Sequence, residues 1–139
     1  MLKTRLLHPE ILAALGEAGH GAQVLIADGN YPLATRSHPD APRVYLNLEP
    51  GKLTVTEVLD VIAGAIEVEA AYVMGPEDGS EPSVFAEFRT LLPGNELTRL
   101  GRFDFYDMAS GSDCALAIST GEQRIYANIL LTIGVVMPE

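Results

Sequence analysis

His20 is the residue of this sequence best suited to proton transfer. It stands between Gly19 and Gly21, directly after a predicted helix, so its imidazole is expected to be accessible. Histidine side chains titrate near neutrality, which suits a general acid or base. The alternative is that His20 offers its charge to the negative end of the preceding helix dipole. Spacing alone favours this second interpretation.

Asp28 follows a short apolar run over residues 24–27. Such a run is typical of a strand that is covered on both faces in a parallel α/β sheet. Ligands of these sheets bind at the carboxyl ends of the strands, so Asp28 is a candidate binding residue. Its alternative role is an Asx-turn that closes the strand. A strand of about five residues spans roughly 17 Å, so His20 and Asp28 meet only if His20 folds over the sheet or the site lies between subunits.

Two further groups of side chains could hold a polar ligand. Arg102 precedes a run of aromatic residues that includes Tyr106. Its guanidinium could clamp ligand oxygens or lie over the aromatic rings. Tyr126 and Asn128 are two residues apart, so on a strand they would point to the same face. There they would suit sugar hydroxyls, or form an edge pair that faces water.

No pattern typical of a metal or nucleotide site occurs. The three histidines lie far apart, and neither a Cys-x-x-Cys pair nor a phosphate-binding glycine loop is present. The only cysteine, Cys114, lies in an apolar run and is expected to pack rather than to react. We therefore expect no metal and no cofactor.

Composition predicts one folded domain over residues 1–139, because 47% of the residues are hydrophobic and 20% are charged. A net charge of −10 disfavours nucleic acids and anionic membrane surfaces as partners. The N-terminal stretch resembles neither a signal peptide nor a membrane span. With a single cysteine, these features predict a cytoplasmic protein.

Periodicity predicts an alternation of strands and helices. Helices are expected from Pro9, with Gly19 or Gly21 as a left-handed cap, from about Val55 to Ile66, from Pro82 to Leu92, and from Arg102 to near Gly111. Strands are expected over residues 24–27, 44–48, 70–74 and 114–119, and a last apolar segment runs over residues 126–136. The alternation predicts an α/β fold, a three-layer α/β/α sandwich with a mostly parallel sheet. The last connection is too short for a parallel crossover, so the final strand is expected to be antiparallel or to turn away from the sheet.

Four segments in register resemble the D-ribose pyranase / L-fucose mutarotase family, and the likeness covers nearly the whole chain. They are Gly19-His20-Gly21, Ala27-Asp28-Gly29-Asn30-Tyr31-Pro32, Arg102-Phe103-Asp104-Phe105-Tyr106, and Thr120-Gly121-Glu122 followed by Tyr126-Ala127-Asn128.

The resemblance implies an enzyme that interconverts anomers or ring forms of monosaccharides without cofactor or metal. It implies ring-shaped homo-oligomers, commonly decamers, with sites at subunit interfaces. His20 matches the general acid of the family. Asp28, Arg102 and the segment from Tyr126 to Asn128 match its sugar-binding positions, and Tyr106 is expected beside them.

This sequence shares features with both branches of the family. Arg102 resembles the fucose branch, since the ribose branch usually has histidine there. Ala127 resembles the ribose branch, and residues 46–51 depart from the Arg-Ala-Asp-Gly of the fucose branch. An arginine in direct contact with the sugar should distinguish the two substrates more strongly than an exchange of alanine and glycine behind it. The sequence therefore favours L-fucose or a related hexose. D-Ribose pyranase activity, a non-catalytic sugar-binding accessory protein and a protein-interaction domain are the alternatives.

Overall fold

The computed structural model describes residues 1–139 as four helices and six strands. In chain order these are α1 (Pro9–Glu17), β1 (Gln23–Ala27), β2 (Arg43–Tyr45), α2 (Val55–Ala63), β3 (Val68–Met74), α3 (Val84–Leu91), β4 (Leu97–Leu100), α4 (Arg102–Ala109), β5 (Cys114–Ser119) and β6 (Ile129–Ile133). The α/β alternation predicted from periodicity is confirmed.

Local sequence explains where the helices begin. Pro9 occupies the first position of α1, where its missing N–H costs nothing. Thr54 and Glu57 form a reciprocal capping box at α2. Two predicted ends are wrong: α2 stops at Ala63, and Ala18 in extended conformation, not a left-handed glycine, caps α1. The left-handed residue is Gly21, with φ 88°, in the turn that follows.

The strands form one sheet in the order β2-β5-β1-β6-β3-β4. β6 runs antiparallel to both of its neighbours, β1 and β3, while the other pairs are parallel. The predicted antiparallel last strand is therefore confirmed. The edge strand β4 was not predicted, because its four residues carry too short an apolar pattern.

Side chains that alternate along the sheet pack into two cores, one on each face. Val24 and Ile26 of β1 join the core beneath α1, α2 and α3, which also contains Phe85 and Phe88. Leu25 and Ala27 face the opposite way and pack against α4 and residues 31–33. The predicted three-layer sandwich follows from this alternation. None of the helices is long and apolar enough to cross a membrane.

Candidate functional site

A pocket of about 340 Å³ lies at the carboxyl end of β1 and contains all five predicted ligand-binding side chains. They are Asp28, Arg102, Tyr106, Tyr126 and Asn128, and Asn30, Tyr31, Met74 and Ile125 complete the lining. The five predicted side chains thus come together from three segments that are far apart in sequence. Its place agrees with the expectation for parallel strands.

Asp28 and Asn128 are both buried and are joined by two hydrogen bonds. The backbone N–H of Asp28 donates to Oδ1 of Asn128 at 2.8 Å, and Nδ2 of Asn128 donates to Oδ2 of Asp28 at 3.1 Å. The backbone N–H of Asn30 donates to the other carboxylate oxygen at 2.9 Å, so the predicted Asx-turn is also present. Burial raises the pKa of the Asp28 carboxyl, and the hydrogen bonds from Asn30, Tyr31 and Asn128 oppose that rise. The pair places a fixed carboxylate and a fixed amide beside any bound ligand.

Arg102 begins α4 at the mouth of the pocket and is exposed. Its Nε donates to the Tyr106 hydroxyl at 3.1 Å, and the hydrogen bond raises the pKa of the guanidinium. The guanidinium carbon also lies 5.3 Å from the ring centre of Phe103 and 5.5 Å from that of Tyr106. Both sequence interpretations of Arg102 are therefore compatible with the structure, since it lies over aromatic rings and lines the pocket.

Tyr126 and Asn128 do not lie on a strand, which corrects the sequence interpretation. β6 begins at Ile129, and both residues belong to the connection from β5 to β6. Tyr126 adopts a left-handed conformation with φ 59°, the only non-glycine residue of the chain to do so. Such a conformation is uncommon for a bulky residue and persists where its surroundings hold it. Tyr126 lines the pocket in this conformation, beside Ile125, whose side chain is largely exposed.

Glu122 anchors this connection to α2. Its buried carboxylate accepts hydrogen bonds from the backbone N–H of Val55 at 3.1 Å and from that of Arg124 at 3.0 Å. The Arg124 side chain adds two further hydrogen bonds at 3.0 Å and reaches Glu87 of α3. Burial alone would raise the pKa of Glu122, but the hydrogen bonds from Arg124 and Val55 together lower it.

Close backbone packing completes the anchoring. Gly121 lies against residues 49–53, where an added Cβ would come within 2.0 Å of the Lys52 carbonyl oxygen. The Thr120 hydroxyl donates to the Ala27 carbonyl at 2.8 Å, and the N–H of Gly29 donates to the Glu122 carbonyl at 2.9 Å. These contacts bind the connection to the carboxyl end of β1, where Asp28 stands.

His20 does not line this pocket. It precedes β1, whereas Asp28 follows that strand, so the two lie at opposite ends of five residues. Its Nε2 lies 2.6 Å from Oε2 of Glu69 on β3, and both side chains are about half exposed. The hydrogen-bond partner of the imidazole is thus Glu69 and not a carbonyl at the end of α1. Glu69 was missed because nothing in its local sequence connects it with His20.

No group of three or more histidine, cysteine, aspartate or glutamate side chains is placed to hold a metal ion. Cys114 is buried at the start of β5. A second pocket of about 460 Å³ adjoins the first through Asn30 and is lined mainly by polar residues of the segments 47–50 and 120–123.

Three proteins of known structure are similar to this chain in sequence and in fold. The fucose mutarotase of Streptococcus pneumoniae, solved in complex with L-fucose, is 28% identical with a TM-score of 0.83, over 98% of this chain and 100% of that one. Bacillus subtilis RbsD complexed with D-ribose is 25% identical with a TM-score of 0.85, over 99% and 100%. FucU from Bifidobacterium longum is 29% identical with a TM-score of 0.79, over 94% and 95%.

The fold of this chain is thus the fold of these solved structures, and the match extends over essentially their full length. The model of the RbsD / FucU transport protein family matches residues 1–136. On this match, the chain belongs to the RbsD / FucU transport protein family.

Proposed function

We propose that this protein is a cofactor-independent mutarotase that interconverts anomers or ring forms of a monosaccharide. The observation that carries the proposal is the convergence of Asp28, Arg102, Tyr106, Tyr126 and Asn128 on one pocket. Carboxylate, amide, guanidinium and phenol groups are the donors and acceptors that sugar hydroxyls require. Family members were solved with L-fucose and with D-ribose bound, which supports a sugar of this size.

His20 is proposed as the general acid. Ring opening needs a proton delivered to the ring oxygen while another leaves the anomeric hydroxyl. Rotation about the first carbon–carbon bond and reclosure then give the other anomer. A positioned histidine contributes about 10²–10⁴-fold to such a proton transfer. Asp28, Arg102 and Asn128 hold hydroxyl groups, and Tyr106 or Tyr126 stacks on the sugar face or donates a hydrogen bond.

The position of His20 supports a site made from two copies of the chain. Within one copy, β1 separates His20 from the pocket, and a five-residue strand is about 17 Å long. A neighbouring copy that brings its own His20 to the mouth of the pocket would complete the site. We therefore propose a ring-shaped homo-oligomer, a decamer as in the resembled family, that works in the cytoplasm.

The proposed substrate is L-fucose or a related hexose. The support is Arg102, whose guanidinium is exposed at the pocket and can donate to sugar oxygens. D-Ribose remains the second candidate, because Ala127 follows the ribose branch. A non-catalytic accessory protein would use the same pocket but has no need of an acid.

The test is saturation-transfer NMR on equilibrated L-fucose and D-ribose with catalytic amounts of protein. We expect faster exchange between the anomer signals, fastest for L-fucose. His20→Ala should lower the exchange rate by about 10²–10⁴-fold without dissociating the oligomer. His38→Ala is the matched control, since His38 is not among the residues that line the pocket.

Each outcome separates the alternatives. A fully active His20→Ala protein contradicts the proposed acid. Sugar binding without faster exchange, seen as line broadening alone, favours the accessory protein. No binding of any monosaccharide favours a protein-interaction domain.

A further inference from the structure

We propose that Glu69 is the positioning residue for His20: it fixes the imidazole through Nε2 and leaves Nδ1 as the nitrogen that exchanges protons with the sugar. The inference rests on the proposed function. It concerns a residue that lies outside the pocket and 49 positions away from His20 in sequence.

The contact itself is short and exclusive. His20 Nε2 and Glu69 Oε2 are 2.6 Å apart, and the Glu69 carboxylate has no other hydrogen-bond or ion-pair partner in the chain. An ionised carboxylate only accepts hydrogen bonds, so Nε2 must be the donor. The other ring nitrogen is thereby defined, because the bond at one nitrogen of histidine sets the role of the other.

The sheet is built to make this contact possible. β6 lies between β1 and β3, so the turn that carries His20 must reach across the end of β6 to meet β3. That turn is fastened to β6, since the N–H of Gly21 donates to the carbonyl of Ile133 and the N–H of Ile133 donates to that of Ala22, each at 2.9 Å. The backbone around His20 is therefore held by strand-type hydrogen bonds.

A local irregularity in β3 falls at Glu69. Val68 pairs with Ile133 and Ala70 pairs with Thr132, so Glu69 is an extra residue with no partner on β6. Bulges of this kind re-aim a side chain and are frequent beside active sites. An ordinary surface ion pair needs no such adjustment of the sheet.

Gly134 keeps the crossing open. A Cβ at this position would lie 3.1 Å from Cβ of Glu69 and 3.3 Å from Cγ of Glu67. Its N–H donates to the Glu67 carbonyl at 2.8 Å, so the chain after β6 stays close to β3 beside the bulge. The missing side chain leaves Glu69 free to turn towards His20.

The proton balance follows from this arrangement. The imidazolium gives its Nδ1 proton to the ring oxygen, which also takes the electron pair of the breaking bond to the anomeric carbon. The anomeric hydroxyl becomes a carbonyl as its proton passes to water. Closure reverses both transfers and returns the proton to Nδ1. Throughout the cycle Nε2–H remains bonded to Glu69.

The test compares Glu69→Gln with Glu67→Gln, which removes the same charge two residues earlier on an exposed side chain that does not contact His20. We expect Glu69→Gln to lower kcat by about 10- to 100-fold with little change in KM, as a misplaced catalytic group does. Glu69→Asp, which keeps the charge, should lose less. Glu67→Gln should match the unaltered protein. In a His20→Ala background, Glu69→Gln should have no further effect.

A second measurement does not depend on activity. Protein with histidine ¹³C-labelled at ring carbon Cε1 gives three imidazole signals, because the chain has three histidines. Relaxation of the His20 signal should show a more mobile ring in Glu69→Gln and an unchanged ring in Glu67→Gln.

The inference is overturned if Glu69→Gln keeps full kcat, or if it lowers kcat equally in the His20→Ala background. It is also overturned if the His20 ring is as mobile in the unaltered protein as in Glu69→Gln. An unaltered protein that accelerates no sugar exchange would instead overturn the proposed function, and the labelled-histidine spectrum would still decide whether Glu69 holds the ring.

Discussion

Contacts with neighbouring aromatic residues hold Arg102 at the pocket, but they use only part of its hydrogen-bonding capacity. Its Nε donates to Tyr106, whereas its two terminal amino groups have no hydrogen-bond partner in the chain. Guanidinium groups donate in a rigid planar fork, so these free donors can be directed at ligand oxygens without loss of the stacked position. The aromatic contacts thus position the cation, and the remaining donors are available for recognition.

Replacing Arg102 by histidine should change sugar preference. We expect Arg102→His to lower kcat/KM for L-fucose by about 10- to 100-fold, the cost of about one charged hydrogen bond. The loss for D-ribose should be smaller, because the ribose branch of the resembled family usually has histidine there. Exchange rates for both sugars, measured on one preparation, give the ratio of activity on L-fucose to activity on D-ribose.

Arg36→His is the matched control for this change. The Arg36 guanidinium also lies over the Tyr106 ring, at 5.4 Å, but does not line the pocket. Arg36→His should therefore leave the ratio of activity on L-fucose to activity on D-ribose unchanged. Equal losses on both sugars in Arg102→His would show that Arg102 does not read the sugar.

At the level of elements, the connection from β5 to β6 has no regular secondary structure and carries three pocket residues, Ile125, Tyr126 and Asn128. It is held by Glu122, whose carboxylate joins the start of α2 to Arg124. The lowered pKa of Glu122 means that the folded state prefers the ionised form. Its contribution to stability is therefore complete above the unfolded pKa of about 4.3 and is lost as the pH falls through the lower folded value.

Glu122→Gln should accordingly destabilise the protein in a pH-dependent way. We expect a loss of about 1–3 kcal/mol in the free energy of unfolding near pH 7, the cost of leaving buried donors poorly paired. The difference from the unaltered protein should shrink below about pH 4. Urea unfolding at several pH values measures both quantities. Glu49→Gln, which removes an exposed ion pair with Lys52, is the control and should change the free energy of unfolding little. A loss of stability in Glu122→Gln that does not depend on pH would contradict the role of the charge.

The same elements show what sequence could and could not predict. The capping box at Thr54 and the short connection before β6 are local signals, so the start of α2 and the antiparallel last strand were predicted correctly. The strand assigned to Tyr126 was wrong because the apolar pattern of β6 continues into it, and nothing local indicates a left-handed tyrosine. Glu69 was missed because its partner is distant in sequence and the contact depends on a bulge.

At the scale of the whole molecule, the central problem is that the proposed acid and the proposed sugar-binding residues lie at opposite ends of β1. A single copy offers a pocket without His20 and a His20 without a pocket. Closed homo-oligomers repeat the same contact around a symmetry axis. Each contact would then join the His20 end of one copy to the Asp28 end of the next.

This arrangement predicts that two inactive variants restore each other. His20→Ala disables one half of each site, and Arg102→Ala disables the other half. In oligomers assembled at random from equal amounts of both, about a quarter of the contacts join two intact halves. Co-expression with two different tags, purification over both and saturation-transfer NMR should therefore recover about a quarter of the unaltered exchange rate.

The control pairs two changes in the same half, Asp28→Ala with Arg102→Ala, and should recover nothing beyond either variant alone. Native mass spectrometry establishes that the doubly purified oligomers contain both chains. Mixed oligomers of His20→Ala and Arg102→Ala that stay as inactive as their parents would show that His20 and the pocket do not act together across a subunit contact. Recovery near a quarter would instead assign the acid and the sugar-binding residues to different copies of the chain, because no single copy in the mixture carries both.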